Sequence, residues 1–191
     1  MQKKIIVTGF GGQGVIMAGK IIGKAAAIGD KLESSMVQSY GPESRGGACS
    51  VQVTISEGQI YYPYINSPDI LVCMSQAGYD KYRDQLEEKV VLIVDQDLVK
   101  PLEGRDCFAI PATRFAEEMG LKMMANIIMI GFFSGITEAI SLESARNTVA
   151  ESVPPKTIEM NLKAFERGWD FAQATLKSRR KKAAGHIGVV A

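Results

Sequence analysis

The first stretch of the sequence that could do chemistry is a glycine-rich segment at residues 9–14, which satisfies the pattern G-x-G-x-x-G. An apolar run precedes it and apolar residues at helical spacing follow it, so it is predicted to join a strand to a helix. Glycine permits tight turns and close approach of a ligand to the backbone, and the N-terminus of a helix attracts a phosphate or carboxylate group. The segment is therefore a candidate binding loop for an anionic ligand.

A dinucleotide site is the best-known use of this pattern, but one residue that it needs is missing. Such a site has an acidic side chain at the end of the second strand, where it binds the ribose. Here the second predicted strand ends at residues 36–38, which are Met, Val and Gln, and Glu33 falls near its beginning. No Gly-Lys-Ser/Thr closes the loop, which excludes a P-loop. Close packing of helix on strand, with no ligand, is the structural alternative.

A second glycine-rich segment, residues 39–47, follows the second predicted strand. Its proline fixes one backbone dihedral, while its three glycines permit left-handed ones. Arg45 offers a planar fork for a carboxylate or phosphate, and the serines and tyrosine supply hydroxyl groups. In a parallel sheet both glycine-rich loops open onto the carboxyl edge, where ligands and partners bind. The alternative is a solvated loop in which a Glu43–Arg45 pair contributes about 0–1 kcal/mol.

Residues suited to bond-making are scarce in this chain. Neither loop contains a His, Cys or Lys that could act as a base or nucleophile, so the loops are predicted to position a ligand, and no catalytic residue is predicted. The three cysteines, Cys49, Cys73 and Cys107, share no C-x-x-C spacing, and they are predicted to be small core residues. An iron–sulfur cluster or a structural zinc needs about four Cys or His ligands, so the chain is expected to hold no metal by itself.

Composition excludes several classes of protein. The 191 residues are 46% hydrophobic and 23% charged, which is typical of one globular domain. The net charge of +1 gives no overall field to hold nucleic acid or an anionic membrane. The longest apolar run is far below the roughly 20 residues of a membrane span, and the odd cysteine count argues against a disulfide framework, so we expect a cytoplasmic protein. A basic run begins at residue 177, which predicts a folded domain at 1–177 and a flexible basic tail at 178–191.

The elements that would carry the loops alternate along the chain. Apolar runs predict strands at residues 4–8, 32–38, 51–55, 59–62, 70–74, 90–94 and 107–110. Helices are predicted from residue 15 to a stop at Gly29, at 76–88, at 126–138, after Ser141 as an N-cap, and from the Pro154-Pro155 pair onwards. This order implies an α/β fold: a single domain with a mixed, largely parallel sheet flanked by helices, and a Rossmann-like glycine loop after the first strand. An antiparallel hairpin is expected near residues 50–62.

Five segments together resemble the gamma subunit, or gamma domain, of the 2-oxoacid:ferredoxin oxidoreductase family. They are GFGGQGV (9–15), SYGPESRGG (39–47), Val51–Ile55, PDILVCMS (68–75) and MMANIIMIG (123–131). The resemblance extends from about residue 3 to residue 175, and within the family the chain looks most like the 2-oxoglutarate type.

The resemblance implies a reaction and a division of labour. Members of the family oxidatively decarboxylate a 2-oxoacid with coenzyme A (CoA) to an acyl-CoA and CO2, and they reduce ferredoxin. Thiamine diphosphate, Mg²⁺ and [4Fe–4S] clusters are then expected in partner chains, which are the alpha and beta subunits with a ferredoxin-like delta subunit as a further candidate. This chain has no G-D-G…N thiamine diphosphate segment. It is expected to pack against the thiamine-bearing chains on the CoA side of the active site, and to be inactive alone.

The resemblance also suggests roles for the loop residues. The backbone amides of the first loop are expected to meet a CoA phosphate or an acidic group of a partner, and Gln13 to orient a polar ligand. Arg45 is expected to hold a CoA phosphate or a substrate carboxylate bidentately, and Tyr40 to cover an adenine ring or a partner surface. The predicted ligand-contacting residues are Gly9, Gly11, Gly12, Gln13, Gly14, Tyr40, Ser44, Arg45, Gly46 and Gly47.

Three alternatives stay open at this point. The substrate of such a complex could instead be pyruvate, a branched-chain 2-oxoacid or indolepyruvate, since substrate choice is expected to lie in the partner chains. The chain could be an independent nucleotide-binding protein that uses residues 9–14, which predicts tight dinucleotide binding by the isolated chain. It could also be a scaffold whose glycine loops contact only other subunits.

Overall fold

The apolar runs of the sequence form one six-stranded sheet in a computed structural model of the chain, which describes residues 1–40 and 48–187. At residues 40, 48, 122 and 185–187 only the backbone is described. The strands are β1 (Gln2–Phe10), β2 (Glu33–Tyr40), β3 (Ala48–Ser56), β4 (Ile70–Cys73), β5 (Val91–Asp95) and β6 (Phe108–Ile110). The helices are α1 (Val15–Lys24), α2 (Gln76–Tyr82), α3 (Ala112–Glu118), α4 (Ala125–Thr137), α5 (Leu142–Ser152) and α6 (Ile158–Ile187). Short helical turns cover Ala25–Gly29, Arg83–Gln85, Lys122–Met124 and Pro155–Thr157.

The sheet has the strand order β2-β3-β1-β4-β5-β6. β1, β4, β5 and β6 pair in parallel, whereas β3 runs antiparallel to both of its neighbours, β1 and β2. Five of the six strands therefore point in one direction. The prediction of an α/β fold with a mixed, largely parallel sheet and a glycine loop after the first strand is confirmed.

The expected hairpin near residues 50–62 is wrong. β3 already has β2 on one side and β1 on the other, so it has no free edge to offer residues 59–62. That segment also lacks an apolar face, since the side chains of Tyr61 and Tyr62 are 86% and 62% exposed. The antiparallel hairpin of this fold is instead β2–β3, and its connection is the second glycine-rich segment.

Apolar side chains cover both faces of the sheet. On one face α1 and α4 pack with the core that includes Val53 and Val72, and on the other face α2 packs with Leu71 and Leu92. Every residue of α4 from 125 to 135 is buried, and most of them are apolar, so the helix has no polar face over this stretch. This helix was predicted at 126–138. It lies between the sheet and α6, which explains why its sequence is continuously hydrophobic.

The last helix, α6, runs without a break across the proposed domain boundary at residue 177. Within the basic segment, Arg179 forms a bidentate pair with Asp106, with both N···O distances 2.9 Å, and its guanidinium lies 3.9 Å from the centre of the Phe108 ring. The division into a domain at 1–177 and a flexible tail at 178–191 stays a prediction. In the described part of the chain, no helix combines the length and the apolar character that crossing a membrane requires.

Candidate functional site

The two glycine-rich segments leave the sheet at the same edge. β2 and β1 both run antiparallel to β3, so their carboxyl ends lie side by side across β3. The register places Phe10 of β1 opposite Ala48 and Tyr40 of β2 opposite Cys49. The expectation that both loops open onto the carboxyl edge is confirmed for the residues at which they begin. Ser44, Arg45, Gly46 and Gly47 lie outside the described residues, and for Tyr40 only the backbone is described.

The glycine turn, which we define as residues 9–14, joins β1 to α1. Gly9 is buried, whereas Gly11 and Gly12 are exposed at the tip of the turn. Gly12 and Gly14 have φ angles of +95° and +74°, a region that favours glycine. Gly14 is the N-cap of α1 and provides no capping side chain. The exposed tip of the turn therefore consists of backbone at the N-terminus of a helix, which is the arrangement that attracts an anion.

Gln13 is held by the turn itself. The backbone N–H of Phe10 donates to its Oε1 at 2.7 Å, and its Nε2 donates to the carbonyl oxygen of Met74 at 2.8 Å. Met74 follows β4, so this side chain connects the ends of two adjacent strands. Both ends of the Gln13 amide are thus bonded within the chain, and its expected role in orienting a ligand stays a prediction.

Asn126 supports the end of the turn. Its side chain is buried, with 3% exposure, at the start of α4. Its Nδ2 donates to the carbonyl oxygen of Gly14 at 3.3 Å, and its Oδ1 accepts from the backbone N–H of Ile127 at 2.9 Å. In the sequence, Asn126 is marked only as part of the segment 123–131, which resembles the family. A single amide side chain in the first turn of a largely apolar helix could have predicted that Asn126 has a hydrogen-bond partner.

Asp95 is a buried carboxylate at the same edge that sequence reasoning missed. It ends β5 with 0% exposure, and it accepts hydrogen bonds from Thr113 N (2.9 Å), Thr113 Oγ1 (2.7 Å) and Asp97 N (3.0 Å). Thr113 lies in the first turn of α3, whose N-cap, Pro111, has no capping side chain. Asp95 therefore caps α3 from a neighbouring strand, as carboxylates do at helix N-termini. Its signal was an acid directly after the apolar run 91–94.

The three cysteines lie in surroundings that disfavour their thiolate form. Burial raises the pKa of the thiols of Cys49, Cys73 and Cys107. Thiolates are the form that ligates metal and attacks electrophiles, so a raised pKa disfavours both roles. Among residues 1–40 and 48–187, no group of three or more His, Cys, Asp or Glu side chains is placed to hold a metal ion.

The sheet order also disfavours a dinucleotide at the glycine turn. In such a site the strand that follows the first helix lies next to β1 and carries the ribose-binding acid. Here that strand, β2, is separated from β1 by β3 and so lies about 10 Å away. The position beside β1 belongs to β3, which begins at this edge with Ala48 and runs in the opposite direction.

Comparison with known proteins adds three findings of similarity. The family model for pyruvate ferredoxin/flavodoxin oxidoreductase matches residues 4–171. The 2-oxoglutarate synthase subunit KorC of Methanocaldococcus jannaschii is 47% identical over 178 residues, which cover 91% of this chain and 95% of that protein. The crystal structure of the gamma subunit of a keto/oxoacid ferredoxin oxidoreductase from Geobacter sulfurreducens superposes with a TM-score of 0.83 at 37% identity, over 91% of this chain and 98% of that one.

A longer chain contains the same fold as one of its parts. The 2-oxoglutarate:ferredoxin oxidoreductase from Magnetococcus marinus, solved with 2-oxoglutarate, coenzyme A and succinyl-CoA bound, matches with a TM-score of 0.82 at 25% identity. The match covers 91% of this chain and 31% of the Magnetococcus chain. The fold described here therefore corresponds to about a third of that chain.

Proposed function

This chain belongs to the pyruvate ferredoxin/flavodoxin oxidoreductase family, and from that membership we propose that it serves as the gamma subunit of a 2-oxoglutarate:ferredoxin oxidoreductase. It is an oxidoreductase subunit that works with other chains, because relatives that match it along nearly their whole length are themselves single subunits. The reaction proposed for the complex converts 2-oxoglutarate, CoA and two oxidised ferredoxins to succinyl-CoA, CO2, two reduced ferredoxins and a proton.

The observation that carries the proposal is the 47% identity to a 2-oxoglutarate synthase subunit over 95% of that subunit's length. Pyruvate, a branched-chain 2-oxoacid and indolepyruvate are the other candidate substrates, and they have less support. The likeness to the Magnetococcus enzyme, whose structure holds 2-oxoglutarate, points to the same substrate.

We assign the positioning of CoA to the carboxyl edge. Gly11 and Gly12 present exposed backbone at the N-terminus of α1, which suits a CoA phosphate. The second glycine-rich segment begins at the same edge, and in it Arg45, with Ser44 and the adjoining glycines, is proposed to bind a CoA phosphate or the substrate carboxylate. Tyr40 is proposed to cover the adenine ring or a partner surface. In these roles the residues bind and orient the reactants, and they make or break no covalent bond.

We propose that other chains hold the cofactors of this reaction. Thiamine diphosphate with Mg²⁺ would supply the carbanion chemistry, and [4Fe–4S] clusters would carry the electrons to ferredoxin. The proposed hosts are alpha and beta subunits, with a ferredoxin-like delta subunit as a further partner.

The experiment is reconstitution of the complex with and without this chain. Co-purification with larger chains that carry thiamine diphosphate and iron, together with CoA-dependent reduction of ferredoxin in a panel of four 2-oxoacids, tests both the subunit role and the substrate. We expect 2-oxoglutarate to give the highest kcat/KM. A lone chain that binds a dinucleotide tightly and adds nothing to turnover would contradict the proposal.

A single substitution tests the proposed ligand contact. A charge-assisted bidentate contact is worth about 1.5–3 kcal/mol, so Arg45→Ala should raise KM for CoA or for the 2-oxoacid about 10- to 160-fold. Arg146→Ala is the matched control, because Arg146 pairs on the surface with Glu166, between α5 and α6. Unchanged kinetics of the Arg45→Ala complex would remove this residue from the site.

A further inference from the structure

Two amide side chains hold the two ends of the glycine turn. Gln13 bridges the Phe10 N–H and the Met74 carbonyl oxygen, and Asn126 donates to the Gly14 carbonyl oxygen. The first connects the turn to the end of β4, and the second connects it to the start of α4. The turn is thus attached to two elements that lie far from it in the sequence.

The orientation of both amides follows from their partners. In Gln13 the oxygen faces an N–H group and the nitrogen faces a carbonyl oxygen, so exchanging the two atoms would break both hydrogen bonds. In Asn126 the oxygen accepts from the Ile127 N–H, which directs the nitrogen to Gly14. Each side chain therefore has one stable orientation, and each bond constrains the backbone of the turn.

We propose that Gln13 and Asn126 are positioning residues, an amide clamp that fixes the glycine turn in its binding shape before any ligand arrives. A loop that is ordered in advance loses less conformational entropy on binding, so the ligand binds more tightly. Gly12 and Gly14 have positive φ angles, and glycine can adopt many other backbone conformations of similar energy. Without the clamp, those conformations would compete with the observed turn. That the ligand is CoA rests on the proposed function; the clamp itself does not.

Amide hydrogen exchange of the full-length, ligand-free chain tests the clamp directly. The variants are Gln13→Met and Asn126→Ala, with Gln59→Met and Asn147→Ala as controls at exposed positions away from this edge. Loss of clamp bonds should make the hydrogen-bonded amides of Gln13 and Ala18 exchange about 5- to 10-fold faster, after correction for the intrinsic rate of each sequence, while both controls stay at the wild-type rate. The Phe10 amide is left out of the comparison because it loses its own acceptor in Gln13→Met.

Unchanged exchange in Gln13→Met would overturn the clamp and return Gln13 to a ligand-contacting role. Gln13 lies in a half-buried turn, so this variant decides the question even where Asn126→Ala does not fold.

Kinetics of the assembled complex then separate the clamp from the proposed ligand. A positioning role predicts that Gln13→Met raises KM for CoA about 10-fold and leaves kcat within about 2-fold, because the same turn is reached once CoA is bound. Faster exchange with an unchanged KM would support the clamp and contradict the assignment of CoA to the turn. A fall in kcat with no change in exchange would overturn the clamp.

Discussion

Replacement of Gly14 by alanine is the sharpest test of the glycine turn. Gly14 has a φ of +74°, and a Cβ at this position would lie 2.3 Å from Nδ2 and 2.7 Å from Cγ of Asn126. Real Cβ atoms essentially never come within 3.0 Å of another atom. The Asn126 side chain must therefore move, and its hydrogen bonds to the turn and to the Ile127 N–H must break.

The cost of Gly14→Ala has two separable parts. Left-handed backbone costs a residue with a Cβ about 1–2 kcal/mol. Leaving the buried amide of Asn126 without its partners costs about 1–3 kcal/mol more, so the folded state should lose about 2–5 kcal/mol in total. Gly12 isolates the first part, because its φ is +95° but a Cβ there would meet nothing within 4 Å. Gly12→Ala should therefore cost only about 1–2 kcal/mol.

Urea unfolding of the full chain measures both variants against wild type. A double variant adds the decisive comparison. In an Asn126→Ala background the contacts with Nδ2 and Cγ disappear and only the one with the Cβ of residue 126, at 3.2 Å, remains, so the cost of Gly14→Ala should fall towards that of Gly12→Ala. The reasoning is refuted if Gly14→Ala and Gly12→Ala cost the same in the wild-type background. It is also refuted if removal of the Asn126 side chain leaves the cost of Gly14→Ala unchanged.

Three further predictions concern the helical layer and the titratable groups. A Cβ on Gly168 would lie 1.9 Å from the carbonyl oxygen of Ile128. Gly168→Ala should therefore destabilise the chain by about 2 kcal/mol or more, although alanine has the higher helix propensity. A thermal scan should show a Tm lower by about 4–8 °C. Burial alone would raise the pKa of Asp30, but hydrogen bonds from two serine hydroxyls and a backbone N–H at the start of α5 lower it overall. The resulting stability is complete above the unfolded pKa of about 3.9 and is lost as the pH falls through the lowered value, so Asp30→Asn should flatten the stability profile below about pH 4 in acid titrations. Burial raises the pKa of the Cys73 thiol, so mass spectrometry should find it alkylated by iodoacetamide far more slowly at pH 7 in the native chain than in urea; equal rates would contradict its burial.

The elements that the sequence predicted correctly are those with a local signature. The N-cap at Ser141 is confirmed, since its hydroxyl accepts from the Ser144 N–H, and the run before the glycine turn is a strand, as its apolar character indicated. The hairpin near 50–62 was wrong because strand pairing is not local. Alternation along residues 51–55 identified a strand but carried no information about its neighbours, which are β1 and β2.

In the candidate site, too, the local features were predicted and the long-range contacts were not. The glycine turn was predicted, because its residues are adjacent in the sequence. The contacts that hold it were not, because Gln13 is 61 residues from Met74, and Gly14 is 112 residues from Asn126. Asp95 was missed for a related reason: a single acid after a strand has no local pattern, and its partner Thr113 lies 18 residues further on.

The core fixes the relative placement of the strand ends that flank the two glycine-rich segments. The first segment leaves β1 and the second enters β3, so the β1–β3 register fixes the distance between those strand ends. Because side chains alternate with a period of two along a strand, a slip of one residue would move Val51, Val53 and Ile55 from the core to the opposite face. The same slip would turn the side chains of Ser50, Gln52 and Thr54 into the apolar core, where a polar group without a hydrogen-bond partner costs about 1–3 kcal/mol. A slipped register is therefore disfavoured, and the register keeps the end of β1 opposite the start of β3.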